Sequence, residues 1–154
     1  LFDEFAKQLK FENVLESVEF YYQAIRKQNG AIGIILQSIN QLPNNSTSAS
    51  ILENTQVIYS LNNEKGYDEL VKRLNLSSHD LNQLKSIKNN LSGSRKYTEM
   101  FIKIGKESNI FRLEVPKEVY AAYLTDGQEN ETIMTLYEKS QNMELAIKEF
   151  TSKT

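Results

Sequence analysis

The 154-residue sequence predicts an α/β protein, with parallel strands flanked by helices, then a β-hairpin and a helical C-terminal tail. Three observations predict it. In the first half, short apolar runs alternate with stretches of 3.6-residue periodicity, the pattern of a parallel sheet covered by helices. Further on, two strand-like runs flank a short polar connection, the mark of a hairpin. The final part shows helical spacing behind a proline, which suits the first turn of a helix. The length is that of one domain, able to bury about 70% of its unfolded surface. A composition of 40% hydrophobic and 25% charged residues is that of an ordinary globular protein.

Taken in order, Leu1-Phe2 reads as the end of a strand, closed by Asp3-Glu4. Phe11, Val14, Leu15, Val18, Tyr21, Tyr22 and Ile25 then form one stripe, an amphipathic helix with Glu12, Glu16, Glu19, Gln23 and Arg26 opposite. Phe20 lies off the stripe, and Gly30 closes the helix as a left-handed cap. "AIGIILQ" reads as a strand buried on both faces that ends at the polar Gln37. "QLPNNSTSAS" has the composition of a loop, "ILENT" of a short helix, "QVIYSL" of a second buried strand and "NNEKG" of a loop. Tyr67, Leu70, Val71 and Leu74 mark one helix; Leu81, Leu84, Ile87 and Leu91 mark the next, capped by Ser77 or Ser78. "YTEMFIKIG" and "IFRLEV" are the hairpin strands, joined through "KESN". Pro116 opens a helix through "KEVYAAYL", and two more helical faces carry Ile133, Leu136, Tyr137 and then Met143, Ala146, Ile147, Phe150. This divides one domain into a strand–helix core (residues 1–65), a helical pair (66–96), a hairpin (97–115) and a helical tail (116–154).

Composition excludes several chemistries. With no cysteine there is no disulfide, thiolate nucleophile or zinc–thiolate site, and the single histidine, His79, reads as a surface or capping residue. No apolar run reaches the ~20 residues that span a bilayer. The net charge of −2 is uninformative, but its distribution is not. Between residues 85 and 112, seven basic residues (Lys85, Lys88, Arg95, Lys96, Lys103, Lys106, Arg112) face two acids, Glu99 and Glu107. Such a window suits either a polyanion or plain solvent.

In a parallel sheet, functional side chains collect at the carboxyl ends of strands. Two positions meet that requirement, Asp3-Glu4 and Gln37. Apolar residues followed by Asp-Glu form the pattern of a Walker B element, in which the Asp holds Mg²⁺ and the Glu activates water. The competing reading is two acids at the positive end of a solvated helix. Gln37 ends an otherwise apolar strand, where a polar residue can sense a γ-phosphate. A phosphate-binding G-x-x-x-x-G-K-[ST] loop is not in the sequence: Glu107 follows Gly105-Lys106, and Met100 stands where the first glycine belongs. A P-loop enzyme containing this chain would carry that loop before Leu1.

The stretch "LFDEFAKQLKFENVLESVEFYYQAIRKQNGAIGIILQSINQLP" resembles the TraG-type conjugative-transfer ATPases, the VirB-class ATPases of type IV secretion. "NNLSGSRKYTEMFIKIG", "VPKEVYAAYLT" and the helical tail resemble their C-terminal part. The resemblance implies the C-terminal part of a RecA-like P-loop NTPase domain. It implies Asp3 as the Mg²⁺-associated residue, acting through water, Glu4 as the base, and Gln37 as the γ-phosphate sensor and nucleotide contact. Arg26, with Lys27 beside it, matches the family's basic motif and could reach phosphate in its own or a neighbouring subunit. Arg95 is a candidate trans arginine, against a competing reading as a solvated loop cation. The resemblance further implies ATP and Mg²⁺ as cofactors, a homo-hexamer, type IV secretion channel proteins as partners and a place at the cytoplasmic face of the inner membrane. DNA contact through the 85–112 window is a possible addition. A rival expectation is a non-enzymatic α/β module that binds protein or nucleic acid.

Overall fold

A computed structural model describes all residues except Glu12, 92–95, Asp126 and Thr154, and the side chains of Arg26 and Lys153. The elements run α1 (Phe5–Gln8), α2 (Val14–Ala24), α3 (Ser46–Glu53), β1 (Val57–Ser60), α4 (Tyr67–Arg73), α5 (Ser78–Ser86), β2 (Asn89–Asn90), β3 (Tyr97–Ile104), β4 (Glu107–Leu113), α6 (Lys117–Ala122), α7 (Gly127–Ser140) and α8 (Met143–Lys153). Short 3₁₀ turns occupy Ile25–Gln28, Ile39–Gln41 and Glu64–Gly66. Two compact units emerge, Leu1–Lys88 with Glu99–Phe111, and Asn89–Thr98 with Arg112–Thr154.

The protein is mixed α/β, but its sheet is antiparallel where parallel strands were expected. β3 pairs on one side with β1, in the register Val57↔Ile104 to Ser60↔Phe101, and with β2 through Asn89↔Thr98 and Asn90↔Tyr97. β4 pairs with its other side. The hairpin was expected; the departure is β1, which pairs antiparallel with the hairpin strand β3 instead of lying in a parallel sheet with the segments before it. β3 and β4 are joined by the two residues Gly105-Lys106, a connection too short for a parallel crossover. Gly105 takes φ +57, so the turn sits there and "ESN" of the expected connection lies inside β4. Among the described residues the parallel relation is confined to one bridge, Phe2↔Ile34.

The first unit holds two apolar clusters. One gathers Phe5, Val18, Leu42 and Ile51, against which Phe2, Val14, Leu15, Tyr22, Ile32, Ile34 and Leu36 pack. The other gathers Tyr67, Leu76, Leu84, Ile87 and Phe101, with Ile58 and Ile110 against it. "AIGIILQ" is therefore an extended segment covered on one face: Ile32, Ile34 and Leu36 point inward, whereas Ile35 is exposed. β1 is likewise an edge strand with Val57 and Tyr59 exposed, not a strand buried on both faces. The "loop" before residue 51 begins α3 at Ser46, because the Asn45 side chain accepts the Ser48 amide at 2.9 Å and caps it. Ser48 is buried where α3 packs on α2.

The end of α2 corrects a second expectation. Asn29, at φ 54, makes the left-handed turn, and the Gly30 amide donates back to the Ile25 carbonyl at 3.1 Å, the closing bond of a Schellman motif. Gly30 serves close approach: a Cβ there would stand 2.6 Å from Ile25 Cγ1. α5 follows the expected rule, with Ser77 and Asp80 forming a capping box. In the second unit α6, α7 and α8 pack together and bury Ala121, Ile133 and Ala146. There Lys96 Nζ reaches Glu129 and the Tyr120 hydroxyl, each at 2.9 Å. The Tyr120 and Glu129 bonds raise the Lys96 pKa, and the same contacts, Lys96 first, lower that of Glu129.

Candidate functional site

The bridge at Phe2 orients the site. The Phe2 amide donates to Gly33 at 2.8 Å, the Ile35 amide to Phe2 at 2.9 Å, and the Phe5 amide to Ile35 at 3.1 Å. A Cβ at Gly33 would stand 3.1 Å from Cδ1 of the exposed Leu1, a side-chain end that can give way. Because the bridge is parallel, the two segments run the same way and finish at the same end. Asp3-Glu4 follows Phe2 there, and Gln37 follows Ile34 by three residues.

The chain reverses direction at Glu4, which takes the left-handed conformation φ 46, ψ 44 at the start of α1. A carboxylate-bearing residue is uncommon in that region, which costs an ordinary L-residue about 1–2 kcal/mol. The Asp3 carboxylate accepts the Glu4 amide at 2.8 Å, and the Asp3 carbonyl accepts Gln8 Nε2 at 2.9 Å. Lys7 forms an ion pair with Glu4 one turn on. Both carboxylates remain exposed to solvent.

Gln37 is held by its backbone. Its amide donates to Gln41 Oε1 at 2.9 Å, and its carbonyl accepts Asn63 Nδ2 at 3.2 Å. Ser38 and Gln41 form a capping box over the following turn, and Arg73 on α4 donates to the Ile39, Leu42 and Pro43 carbonyls at 2.8, 2.9 and 3.1 Å. Sequence reasoning missed these supports. The S-x-x-Q spacing of Ser38 and Gln41 was a legible signal; nothing local announces Arg73, which acts across 30 residues or more.

The other expected residues stand elsewhere. The backbone of Arg26 lies in the 3₁₀ turn after α2, just before the segment that Gln37 ends. Lys27 beside it is exposed. Arg95 lies outside the described residues. In the basic window Lys103 pairs with Asp80 at 3.2 Å, Lys96 with Glu129 at 2.9 Å, and Arg112 stacks 3.9 Å over the Tyr97 ring and meets Glu114 at 3.9 Å. Lys85, Lys88 and Lys106 are exposed.

One buried polar cluster was not foreseen. Asp80, 2% exposed, accepts from Ser108 Oγ at 2.6 Å, Ser77 Oγ at 2.8 Å, the Ser77 amide at 2.9 Å and Lys103 Nζ at 3.2 Å. Burial pushes its pKa up, but the Ser108 bond, the Ser77 bonds and Lys103 outweigh that and hold the carboxyl far below the usual range. With every donor inside the protein, this carboxylate ties α5 to both hairpin strands and has no role left for a ligand.

Among the described residues no three metal-ligating side chains come together, and no helix is long and apolar enough to cross a membrane. Asp3-Glu4 and Gln37 follow the two partners of the Phe2↔Ile34 bridge in the same direction, and both carboxylates are exposed. In open α/β sheets, ligands bind beyond the carboxyl ends of the strands. The chain belongs to the TraG P-loop domain family, which matches residues 1–154. No curated protein and no solved structure matches it. Membership associates the chain with the nucleotide-hydrolysing proteins of conjugative transfer.

Proposed function

We propose that this chain is the C-terminal part of a RecA-like ATPase domain whose parent powers conjugative DNA transfer or type IV secretion. The observation that carries the reading is the parallel bridge between Phe2 and Ile34, with Asp3-Glu4 and Gln37 following at one end. ATP bound with Mg²⁺ supplies the phosphoanhydride to be cleaved. Mg²⁺ keeps most of its waters and needs only one or two protein carboxylates, which suits a lone Asp3. Glu4 accepts the proton of the attacking water, and Gln37, its backbone pinned on both sides, senses the γ-phosphate. The phosphates are gripped by residues outside this chain, so the chain alone does not turn over ATP.

Arg26 acts best on a neighbouring subunit. Its backbone sits before the extended segment, and Gln37 ends that segment six residues past Ala31, up to about 20 Å away at ~3.3 Å per residue. This favours a ring, a homo-hexamer, in which Arg26 or Arg95 completes the next site. The same reading puts the protein at the cytoplasmic face of the inner membrane beside the secretion channel. Among the described residues of the window, the exposed Lys85, Lys88 and Lys106 are the candidates for a DNA contact.

The test is ATP hydrolysis by the full-length protein bearing Glu4→Gln. Loss of a general base lowers kcat by ~10²–10⁴-fold. Near-normal turnover with normal nucleotide binding would falsify the assignment of Glu4.

A further inference from the structure

The loop that leaves β1 reaches back to Gln37. Asn63, in that loop, donates its side-chain amide to the Gln37 carbonyl at 3.2 Å, across 26 residues of sequence. Asn63 is itself tied to the core. Its backbone amide donates to the Tyr67 hydroxyl at 3.2 Å, and that hydroxyl donates to Asn62 Oδ1 at 3.1 Å. Tyr67 is 3% exposed, in the apolar cluster with Leu84 and Phe101. Gly66 closes the other side. Its amide donates to the Asn63 carbonyl at 2.8 Å, and a Cβ at position 66 would stand 2.9 Å from Asn63 Nδ2. At φ −102 and ψ −9 the backbone of Gly66 is one that other residues also adopt, so glycine serves space here and not conformation. The space is filled by the Asn63 amide.

We infer that Asn63 is a positioning residue for Gln37, and that Gly66 keeps the room Asn63 needs. The Gln41 side chain holds the peptide before Gln37 at 2.9 Å, and Asn63 holds the peptide after it at 3.2 Å. Peptide units are planar, so fixing both leaves φ and ψ of Gln37 little freedom, and these set the direction of its Cα–Cβ bond. The Gln37 side chain stays exposed, and its aim comes from the main chain. A neutral amide–carbonyl bond adds only modestly to stability. Misplacing a reacting group by about 1 Å, in contrast, can cost about 10²-fold in rate. Loss of the Asn63 amide therefore shows in turnover more than in folding. This role rests on the reading of Gln37 as the γ-phosphate sensor.

ATP hydrolysis by the full-length protein, measured for Asn63→Ala, Gln37→Ala and the two combined, tests it. Asn63→Ala lowers kcat by roughly ten- to a hundredfold and leaves KM within about twofold, with an unchanged circular dichroism spectrum. In the double variant it adds nothing to the loss from Gln37→Ala, because both act through one side chain. Asn63→Asp keeps the shape but sets an acceptor where the carbonyl needs a donor, and loses as much as Asn63→Ala. Gly66→Ala pushes the amide aside and lowers kcat in the same way, yet costs nothing further in an Asn63→Ala background. Losses that multiply in the double variant overturn the inference. So does normal turnover by Asn63→Ala where Gln37→Ala is impaired, and either result leaves the ATPase reading standing. Normal turnover by Gln37→Ala removes Gln37 from the reaction and the role of Asn63 with it. A full-length protein that hydrolyses no ATP overturns the inference and the ATPase reading together.

Discussion

Asp80 and the Asp3-Glu4 pair lie in the same compact unit, yet the chain treats their carboxylates in opposite ways. Asp80 is sunk beneath the hairpin and receives hydroxyl, amide and ammonium donors from α5 and from both hairpin strands. Asp3 and Glu4 stand in solvent, engaging their own backbone and one lysine a turn away. A carboxylate whose acceptor sites are all filled from within serves stability. One held by its main chain alone, with its side chain still free to be re-engaged, is available to a ligand. Polar side chains in a fold sort by who supplies the partner, and conformation follows the same division: Ser77 starts α5 with ordinary extended angles, whereas Glu4 starts α1 in the left-handed region.

The largest expected effect breaks this contrast most directly. Asp80→Ala leaves Lys103 nearly buried without its counter-charge, a loss of about 3–5 kcal/mol in urea denaturation at neutral pH. Asp3→Ala at an exposed position changes stability by no more than about 0.5 kcal/mol. Equal losses at the two positions would erase the distinction.

Acid sharpens it further. The folded pKa of Asp80 lies below that of an unfolded aspartate, about 3.9, so its contribution is complete above that value and is lost as pH falls towards the folded pKa. Stability followed by circular dichroism should therefore decline below about pH 5 in the wild type. Asp80→Asn should start lower and show a shallower acid limb. A parallel decline in both would assign the acid sensitivity to other carboxylates.

Ser108→Ala comes next. It removes one hydroxyl donor from a buried carboxylate and should cost about 1.5–3 kcal/mol, as bonds to charged groups do. Lys103 and the Ser77 donors stay in place, so the loss should be smaller than that of Asp80→Ala.

What the sequence made legible follows the range of the forces involved. Local rules located α2, α4, α5 and the last helices, and the Ser77 cap, because periodicity and capping act within a turn or two. The same rules put Asp3-Glu4 and Gln37 at the ends of extended segments. Pairing is a different matter. β1 finds β3 some 40 residues away, and no pattern in "QVIYSL" says whether its neighbour runs parallel or antiparallel. The apolar runs that read as doubly buried strands proved to be covered on one side, since apolarity records a wish for cover and not its source. Asp80 was invisible for the same reason: its spacing to Ser77 announces a cap, but Lys103 and Ser108 arrive from the hairpin. Asn29 deceived in the other direction. Glycine is the usual left-handed cap, yet here asparagine took the turn and left Gly30 to make room for Ile25.

The smallest effect separates stability from function at a single residue. Glu4→Gly relieves a left-handed conformation that costs an L-residue about 1–2 kcal/mol. It also removes the exposed pair with Lys7, worth about 0.2–1 kcal/mol. The difference leaves the variant as stable as the wild type or more so, by up to about 1.8 kcal/mol in chemical denaturation. In the full-length protein the same change deletes the proposed base, and hydrolysis should fall as far as it does with Glu4→Gln. A variant that loses stability would mean that the Glu4 side chain holds the turn together, as Asp80 holds the hairpin. A variant that gains stability and loses turnover would mean that the strain at Glu4 is kept for the reaction.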